Sequence, residues 1–379
     1  MRLRHLICLF ALIFLADAAA AEPVLVPGPP RVNASSSLVM DFYSGHLIAA
    51  ENIDQKTHPA SLTKIMTIYV VASELAQNNI SMDDMVTVSE KAWKMTGSRM
   101  FIEVNKQVSV HDLIMGVIVQ SGNDASVALA EHVSGDETVF AELMNRHAER
   151  LGLANTHFVN SSGFPDERHY TTARDIALLV AALIRDFPDI YHLHSLKEFT
   201  YNGIRQQNRN RLLWIDGTVD GVKTGHTEAA GYCLAASAKR DDMRLITIVM
   251  GANGEAARTE ATQAMLNYGF RFYETRKIFS AYEIVTTAKV WKGTTGSIDL
   301  GLKEDLYVTV PRGHFDNLNV LFDLPQRIIA PVAEGQKQGS LKLMLSDREI
   351  LQESLYAMNA IEQAGLMNRL RDDIRLMFE

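Results

Sequence analysis

Ser61 precedes Lys64 by three positions in Ser61-Leu62-Thr63-Lys64, a spacing that puts both side chains on one face of a helix. There an amine shielded from water stays neutral often enough to accept the serine proton, and the serine becomes a nucleophile for covalent catalysis. A helix-start serine followed by a solvent-facing lysine has the same spacing, which arises readily by chance in 379 residues. The surroundings favour chemistry. Between 61 and 77, Ile65, Met66, Ile68, Tyr69, Val70, Val71 and Ala72 are apolar almost all round, so this helix is expected to run through the core. A lysine there is costly to bury without a chemical or hydrogen-bonding purpose. Two further triplets carry polar side chains where chain direction changes. Ser121-Gly122-Asn123 stands between two helical patterns, where Gly122 permits a sharp turn and Ser121 and Asn123 can face a cleft; taken alone, helix capping accounts for it better. Lys223-Thr224-Gly225 ends a strand pattern. It reads as a strand end plus turn, or as a hydroxyl and a cation that receive a carboxylate while Gly225 lets a substrate backbone approach.

The elements that must position these groups follow from periodicity. Strands are expected at 37–43 and 46–52, joined at Ser44 and Gly45, and Pro59 suits the entrance of the core helix. Helices are expected at 110–119, 125–132, 138–151 and 172–184, and 155–170 is a loop containing Ser161, Ser162, Gly163 and Pro165. Strands follow at 221–223, 231–237 and 244–250, the last two joined through 239–242, and then a helix at 258–268. An early hairpin, central helices and late strands predict an α/β domain whose sheet, expected to be antiparallel, receives both ends of the domain sequence.

From Ile284 onward, short apolar segments broken by Gly293, Gly296, Gly301 and Pro311 predict a small strand-rich domain, with a boundary near 278–283. Finally Leu366, Met367, Leu370, Ile374, Met377 and Phe378 recur at helical spacing, with Arg369, Arg371, Asp372, Asp373 and Arg375 mostly around another face. A packing helix, a partner helix and an in-plane membrane anchor all have this pattern.

Hydrophobic residues make up 47% and charged residues 22%, as expected of a chain that folds into globular domains. A formal charge of -8 without long runs of one sign disfavours general nucleic-acid binding. Arg2, Arg4 and His5, an apolar run at 6–15 and Ala18 to Ala21 read as a secretory signal peptide, too short to span a bilayer. Its removal takes Cys8 away and leaves Cys233 alone, so the exported chain has no internal disulfide. Cys233 lies in an apolar, strand-like run and reads as a core residue.

In this order, the three motifs resemble the S-x-x-K, S-D-N and K-T-G signature of serine-reactive penicillin-recognising enzymes, with Ser-Gly-Asn in the middle place. The chain is most similar to the low-molecular-mass D-alanyl-D-alanine carboxypeptidases, which commonly carry Ser-Gly-Asn and extend the last motif to Lys-Thr-Gly-His-Thr, as 223–227 does here. Segments 59–66, 121–130, 206–210 and 220–227 carry the resemblance, as does the order of signal peptide, catalytic domain, β-rich domain and terminal helix.

The resemblance implies a β-lactamase/transpeptidase-like α/β domain at 22–280, a five-stranded antiparallel sheet with a helical cluster, following a signal peptide at 1–21. It further implies a small β-rich domain at 281–364 and an amphipathic membrane-association segment at 365–379. The implied substrate is the D-alanyl-D-alanine end of a peptidoglycan stem peptide, β-lactams acylate the same serine, and the enzyme is periplasmic, on the outer face of the cytoplasmic membrane.

By the same resemblance Ser61 attacks, Lys64 is the base, and Ser121 relays a proton to the leaving amine. Asn123 orients the acyl-side amide, Thr224 and Lys223 hold the terminal carboxylate, and the backbone amides of Ser61 and His226 form an oxyanion hole. Arg258 supports carboxylate recognition, and Arg209 lies near the cleft. No cofactor or metal is implied, and the sequence holds no His-Glu-x-x-His, G-x-S-x-G or phosphate-cradling glycine motif. Two alternatives stay open. A β-lactamase would use the same scaffold, although 155–170 offers no secure deacylating glutamate, and a silent cell-wall binding protein would bind peptide without an acyl-serine.

Overall fold

The computed structural model describes residues 26–378, so the export signal expected at 1–21 lies outside the described residues. Five antiparallel strands lie side by side in the order Leu47–Glu51, Ser36–Asp41, Met243–Ala252, Gly231–Arg240 and Val219–Thr227. Leu38 pairs with Ile248 and Val39 with Thr247, so the sheet does take both ends of the domain sequence. Its central strand is covered on both faces, which is why Leu245, Ile246, Ile248, Val249 and Met250 are all fully buried instead of alternating. The late strands outrun their apolar patterns because ladder pairing continues through charged residues: Lys239 pairs with Arg244 and Arg240 with Met243, closing the hairpin at Asp241.

The expected core helix is present as Thr63–Ala76, buried all round from Thr63 to Ser73. Ser61 lies just outside it, in a short 3-10 turn, Ala60–Leu62. Helices Asn123–Ser134, Glu137–Arg150 and Ala173–Asp186 pack around it. Asp136 and Thr172 cap the last two with their side chains, accepting from the backbone N–H of Thr138 and Asp175. The helix expected at 110–119 changes form midway: Val110–Met115 is α-helical and Gly116–Gln120 is a π turn. Residues between 155 and 170 form an irregular loop, pinned by single bridges from Thr57 to Thr171 and from His157 to Tyr170. The helix over Glu255–Phe272 lies against the sheet.

The β-rich unit has its own core, including Ile298, Leu300, Val308, Leu341, Leu343 and Leu355. Its six-stranded sheet runs in the order Leu318–Asp323, Lys337–Leu345, Arg348–Ala357, Ser297–Gly301, Ile284–Trp291 and Ile328–Ile329, and Tyr273–Phe279 pairs separately with Leu306–Pro311. The five-stranded sheet meets it through the first hairpin. Buried Asp41 accepts from Thr275 Oγ1 at 2.7 Å, Ser44 and Thr309 hydroxyls lie 2.6 Å apart, and Tyr43 stacks on Tyr307.

The last helix, Leu366–Leu376, buries none of its residues. Its charged face is tethered: Asp372 accepts from the Lys292 backbone N–H at 2.8 Å and Asp373 pairs with Lys292 Nζ at 2.5 Å. Leu366, Met367, Leu370, Ile374, Met377 and Phe378 all remain exposed.

Candidate active site

Three structural elements converge on Ser61. It follows Ala60, whose φ of +46° is a left-handed conformation that costs a non-glycine residue about 1–2 kcal/mol. Two glycines make room for that turn. A side chain at Gly225 would begin 3.1 Å from the Pro59 carbonyl, and one at Gly163, itself at φ +81°, would begin 1.8 Å from the Ala60 carbonyl. Gly225 therefore serves the packing of the Ser61 turn against the edge strand, a role its position after Lys223-Thr224 did not suggest.

Lys64 is fully buried one helical turn beyond Ser61. Its Nζ makes three bonds: 3.2 Å to Ser61 Oγ, 2.7 Å to Asn123 Oδ1 and 2.6 Å to the Ser162 carbonyl. Burial pushes Lys64 down to about 7; Asp124 opposes this, Arg209 adds to it and Glu137 opposes it. A neutral amine is thus accessible near neutrality. Its two hydrogens are engaged by Asn123 Oδ1 and the Ser162 carbonyl, neither of which can donate there, so its lone pair is left facing the Ser61 hydroxyl. The geometry suits proton abstraction from Ser61.

Ser121 sits at the C-terminal end of the π turn at φ +65°, whereas Gly122 has an ordinary φ of -59°. The sharp turn expected of the glycine thus falls on the serine. Gly122 is needed for space, because a side chain there would begin 2.8 Å from Asp124 Oδ1 and 3.2 Å from the Met100 nitrogen. The Ser121 hydroxyl is buried and has no hydrogen-bond partner among the described residues, the condition of a group waiting for one. Asn123 donates to the Thr96 carbonyl at 2.7 Å, which turns its amide oxygen toward Lys64.

Lys223 and Thr224 are both buried in the edge strand. Burial, reinforced by Lys64, Arg209 and Arg258, holds Lys223 well below the usual lysine range. Arg209 and Arg258 both act on Lys223 through space, so their positive charge favours an anion in the cleft. Arg258 is buried and donates to the Gly225 carbonyl at 3.2 Å, which places it behind the strand end. Arg209 is exposed on the cleft side of a segment whose alternate residues, Gln206, Asn208 and Asn210, are buried; Gln206 donates to the Arg99 carbonyl and Asn210 to that of Gly221. His226 is exposed, its ring 4.0 Å from that of Tyr232.

Several supporting residues carried no periodic or motif signal. Asp124 accepts from the backbone N–H of Met100, Phe101, Ile102 and Ala125, fixing the chain that borders Ser121. Asn160 accepts from the Gly163 N–H at 2.7 Å and shapes the loop beside Lys64. Buried His169, pushed down to about 4 by burial, accepts from the Val159 N–H at Nδ1 and meets the Thr63 hydroxyl at Nε2. Other ionisable groups lie apart from the site: Glu51 and Glu167 are exposed, Asp54 pairs with Arg174, and Cys233 is the expected core residue, a buried thiol pushed up to about 11. Among the described residues, no group of three His, Cys, Asp or Glu side chains is arranged to hold a metal ion.

A serine beside a buried lysine, at the seam between a helical cluster and the edge of a five-stranded antiparallel sheet, defines the class of serine-reactive penicillin-recognising enzymes. Residues 23–254 match the D-alanyl-D-alanine carboxypeptidase family and residues 273–363 the C-terminal domain of penicillin-binding protein 5; the chain belongs to this carboxypeptidase family. It is 43% identical to the D-alanyl-D-alanine carboxypeptidase DacC of Escherichia coli over 377 residues, covering 97% of this chain and 94% of that protein. It superposes on penicillin-binding protein 5 from Haemophilus influenzae with a TM-score of 0.87 at 42% identity, over 89% of this chain and all of that one. Penicillin-binding protein D2 from Listeria monocytogenes, solved with cefotaxime bound, is similar over 64% of this chain and all of its own, with 29% identity and a TM-score of 0.60.

Proposed function

We propose that the chain removes the terminal D-alanine from peptidoglycan stem pentapeptides through an acyl-enzyme on Ser61. Neutral Lys64 takes the Ser61 proton as Oγ attacks the penultimate D-alanine carbonyl, and the backbone amides of Ser61 and His226 meet the developing oxyanion. Ser121, whose buried hydroxyl has no hydrogen-bond partner among the described residues, relays the proton to the departing amine. Asn123 orients the acyl-side amide in addition to holding Lys64. Thr224 binds the terminal carboxylate, Arg258 and Arg209 supply the field that attracts it, and Lys223 holds it once protonated. The arriving carboxylate would itself restore the charge on Lys223, since an opposite charge stabilises the ammonium.

The observation that carries this reading is Lys64, fully buried, 3.2 Å from Ser61 Oγ and held by two acceptors that aim its lone pair. β-Lactams acylate Ser61 by the same step. Slow release of that adduct is expected, because in the neighbouring loop Asp166 is paired with Arg168 and Glu167 is exposed. Intact-protein mass spectrometry after β-lactam addition, with release timing and a D-alanine assay on a stem pentapeptide, tests the reading. A long-lived adduct and released D-alanine support it; rapid adduct loss indicates a β-lactamase, and peptide binding with no adduct a silent binding protein.

The exposed apolar face of Leu366–Leu376 and its neighbours Met377 and Phe378 supports peripheral attachment to the outer face of the cytoplasmic membrane, in the periplasm. Asp372 and Asp373 are engaged by Lys292, which leaves the exposed Arg371 and Arg375 to meet anionic lipid. Among the described residues no helix is long and apolar enough to cross a membrane.

A further inference from the structure

Behind Lys64 lies a buried carboxylate with no part in the reaction as described above. Glu137, only 8% exposed, turns its carboxylate onto the loop carrying Ser161 and Ser162. One oxygen accepts from the Ser161 backbone N–H at 3.0 Å and from its hydroxyl at 2.7 Å; the other pairs with Lys91 Nζ at 3.0 Å. The Ser161 carbonyl accepts from Thr67 Oγ1 at 2.6 Å. The very next carbonyl, that of Ser162, is the one that receives Lys64 Nζ. Removing the carboxylate would leave two buried donors of Ser161 without an acceptor, a penalty the loop relieves only by moving. Any such movement carries the Ser162 carbonyl away from Lys64, frees one of its hydrogens, and turns the lone pair from Ser61.

We propose that Glu137 is a positioning residue for acylation: through Ser161 it fixes the Ser162 carbonyl that orients the Lys64 amine toward Ser61. The inference rests on the reading of Lys64 as the base. Glu137 also acts through space. Its charge and that of Asp124 favour the ammonium form of Lys64, against burial and the cations Arg209 and Lys223, while neighbouring His169 is neutral. The two effects are separable, because glutamine keeps an acceptor for Ser161 and drops the charge, whereas alanine drops both.

The test is the second-order acylation rate of the mature full-length chain with a fluorescent penicillin, from about pH 5 to about pH 9, with thermal unfolding recorded for each variant. Glu137→Ala is expected to lower acylation about 10- to 100-fold at every pH, the scale of a misplaced catalytic group. Glu137→Gln is expected to recover most of the rate at neutral pH with its acid limb moved to lower pH, since an anion that favoured the ammonium is gone. A purely structural residue would lower the unfolding temperature and leave that limb in place. Folded Glu137→Ala with the parental rate and limb overturns the inference, as does Glu137→Gln with the same loss as alanine and an unmoved limb. Lys64→Arg, run in parallel, separates the two layers. Parental acylation by Lys64→Arg defeats the base reading, and this inference with it; an inactive Lys64→Arg beside parental Glu137 variants defeats the Glu137 role alone.

Discussion

Lys64 Nζ and Asn123 Oδ1 stand 2.7 Å apart although 59 positions separate them in sequence. The contact joins the first and second motifs into one device, in which the asparagine orients the Lys64 amine before any substrate arrives. Because the Asn123 amide nitrogen donates to the Thr96 carbonyl, its oxygen is committed to Lys64.

Ser61→Ala should fold and lose both the covalent β-lactam adduct and peptidase turnover, because the missing hydroxyl makes a long 3.2 Å contact with Lys64 and contributes little to the fold. Ser121→Ala should still form an adduct on Ser61 but more slowly. Peptide mapping after β-lactam treatment decides the matter, and an adduct on Ser121 would reverse the assignment.

Acylation should rise with pH through a limb near 7, since Lys64, held at about 7 by burial, is an ammonium below that point and an amine above it. Lys64→Arg should collapse acylation, because a guanidinium does not give up its proton in this range. Asn123→Asp places a carboxylate on Lys64 and should move the limb upward by about 1–3 pH units. Rate–pH profiles of the three proteins check this, and an unmoved limb in Asn123→Asp would assign it to another group.

Thr224→Val and Arg258→Gln should harm peptides with a free terminal carboxylate more than the matching amides, because the cationic field acts only on the anion. The measurement is kcat/KM for paired free-acid and amide substrates. Equal losses in folded variants would place both residues in general acylation or in structure.

Gly163→Ala should destabilise the catalytic domain by about 2–5 kcal/mol, summing a left-handed backbone that alanine resists and overpacking against the Ala60 carbonyl. Thermal or urea unfolding reads the loss directly. Adduct formation should fall as well, since the displaced carbonyl belongs to the residue just before Ser61.

Truncation after Ala364 should abolish binding to anionic liposomes and leave β-lactam acylation intact, because the last helix buries none of its residues and Ser61, Ser121 and Lys223 lie far upstream. Sedimentation with vesicles at low and physiological salt measures it. Equal sedimentation of the intact and truncated chains would assign the helix to a protein partner.

The sequence by itself determined the local elements and the chemical inventory. The all-round apolar pattern after Ser61 fixed a buried helix with Lys64 inside it, and Thr63 to Ser73 are indeed buried. Alternation and turn residues placed the early hairpin and the late strands, whose pairing then builds the sheet. Motif order brought Ser61, Lys64, Ser121, Asn123, Lys223 and Thr224 together on paper because each triplet is a local signal. Tertiary structure alone decided what surrounds them. The Ser162 carbonyl that receives Lys64 is a backbone atom with no side-chain identity to read, and Glu137 meets the adjoining Ser161 only because two distant segments pack together. The left-handed turn at Ser121 was unreadable because neighbouring Gly122 is the residue that ordinarily supplies one; the glycine is there for Asp124 and Met100, which come close only in the folded chain. Hydrophobic periodicity reports which face is buried. It does not report what that face meets, and the basicity of Lys64 depends on that second fact.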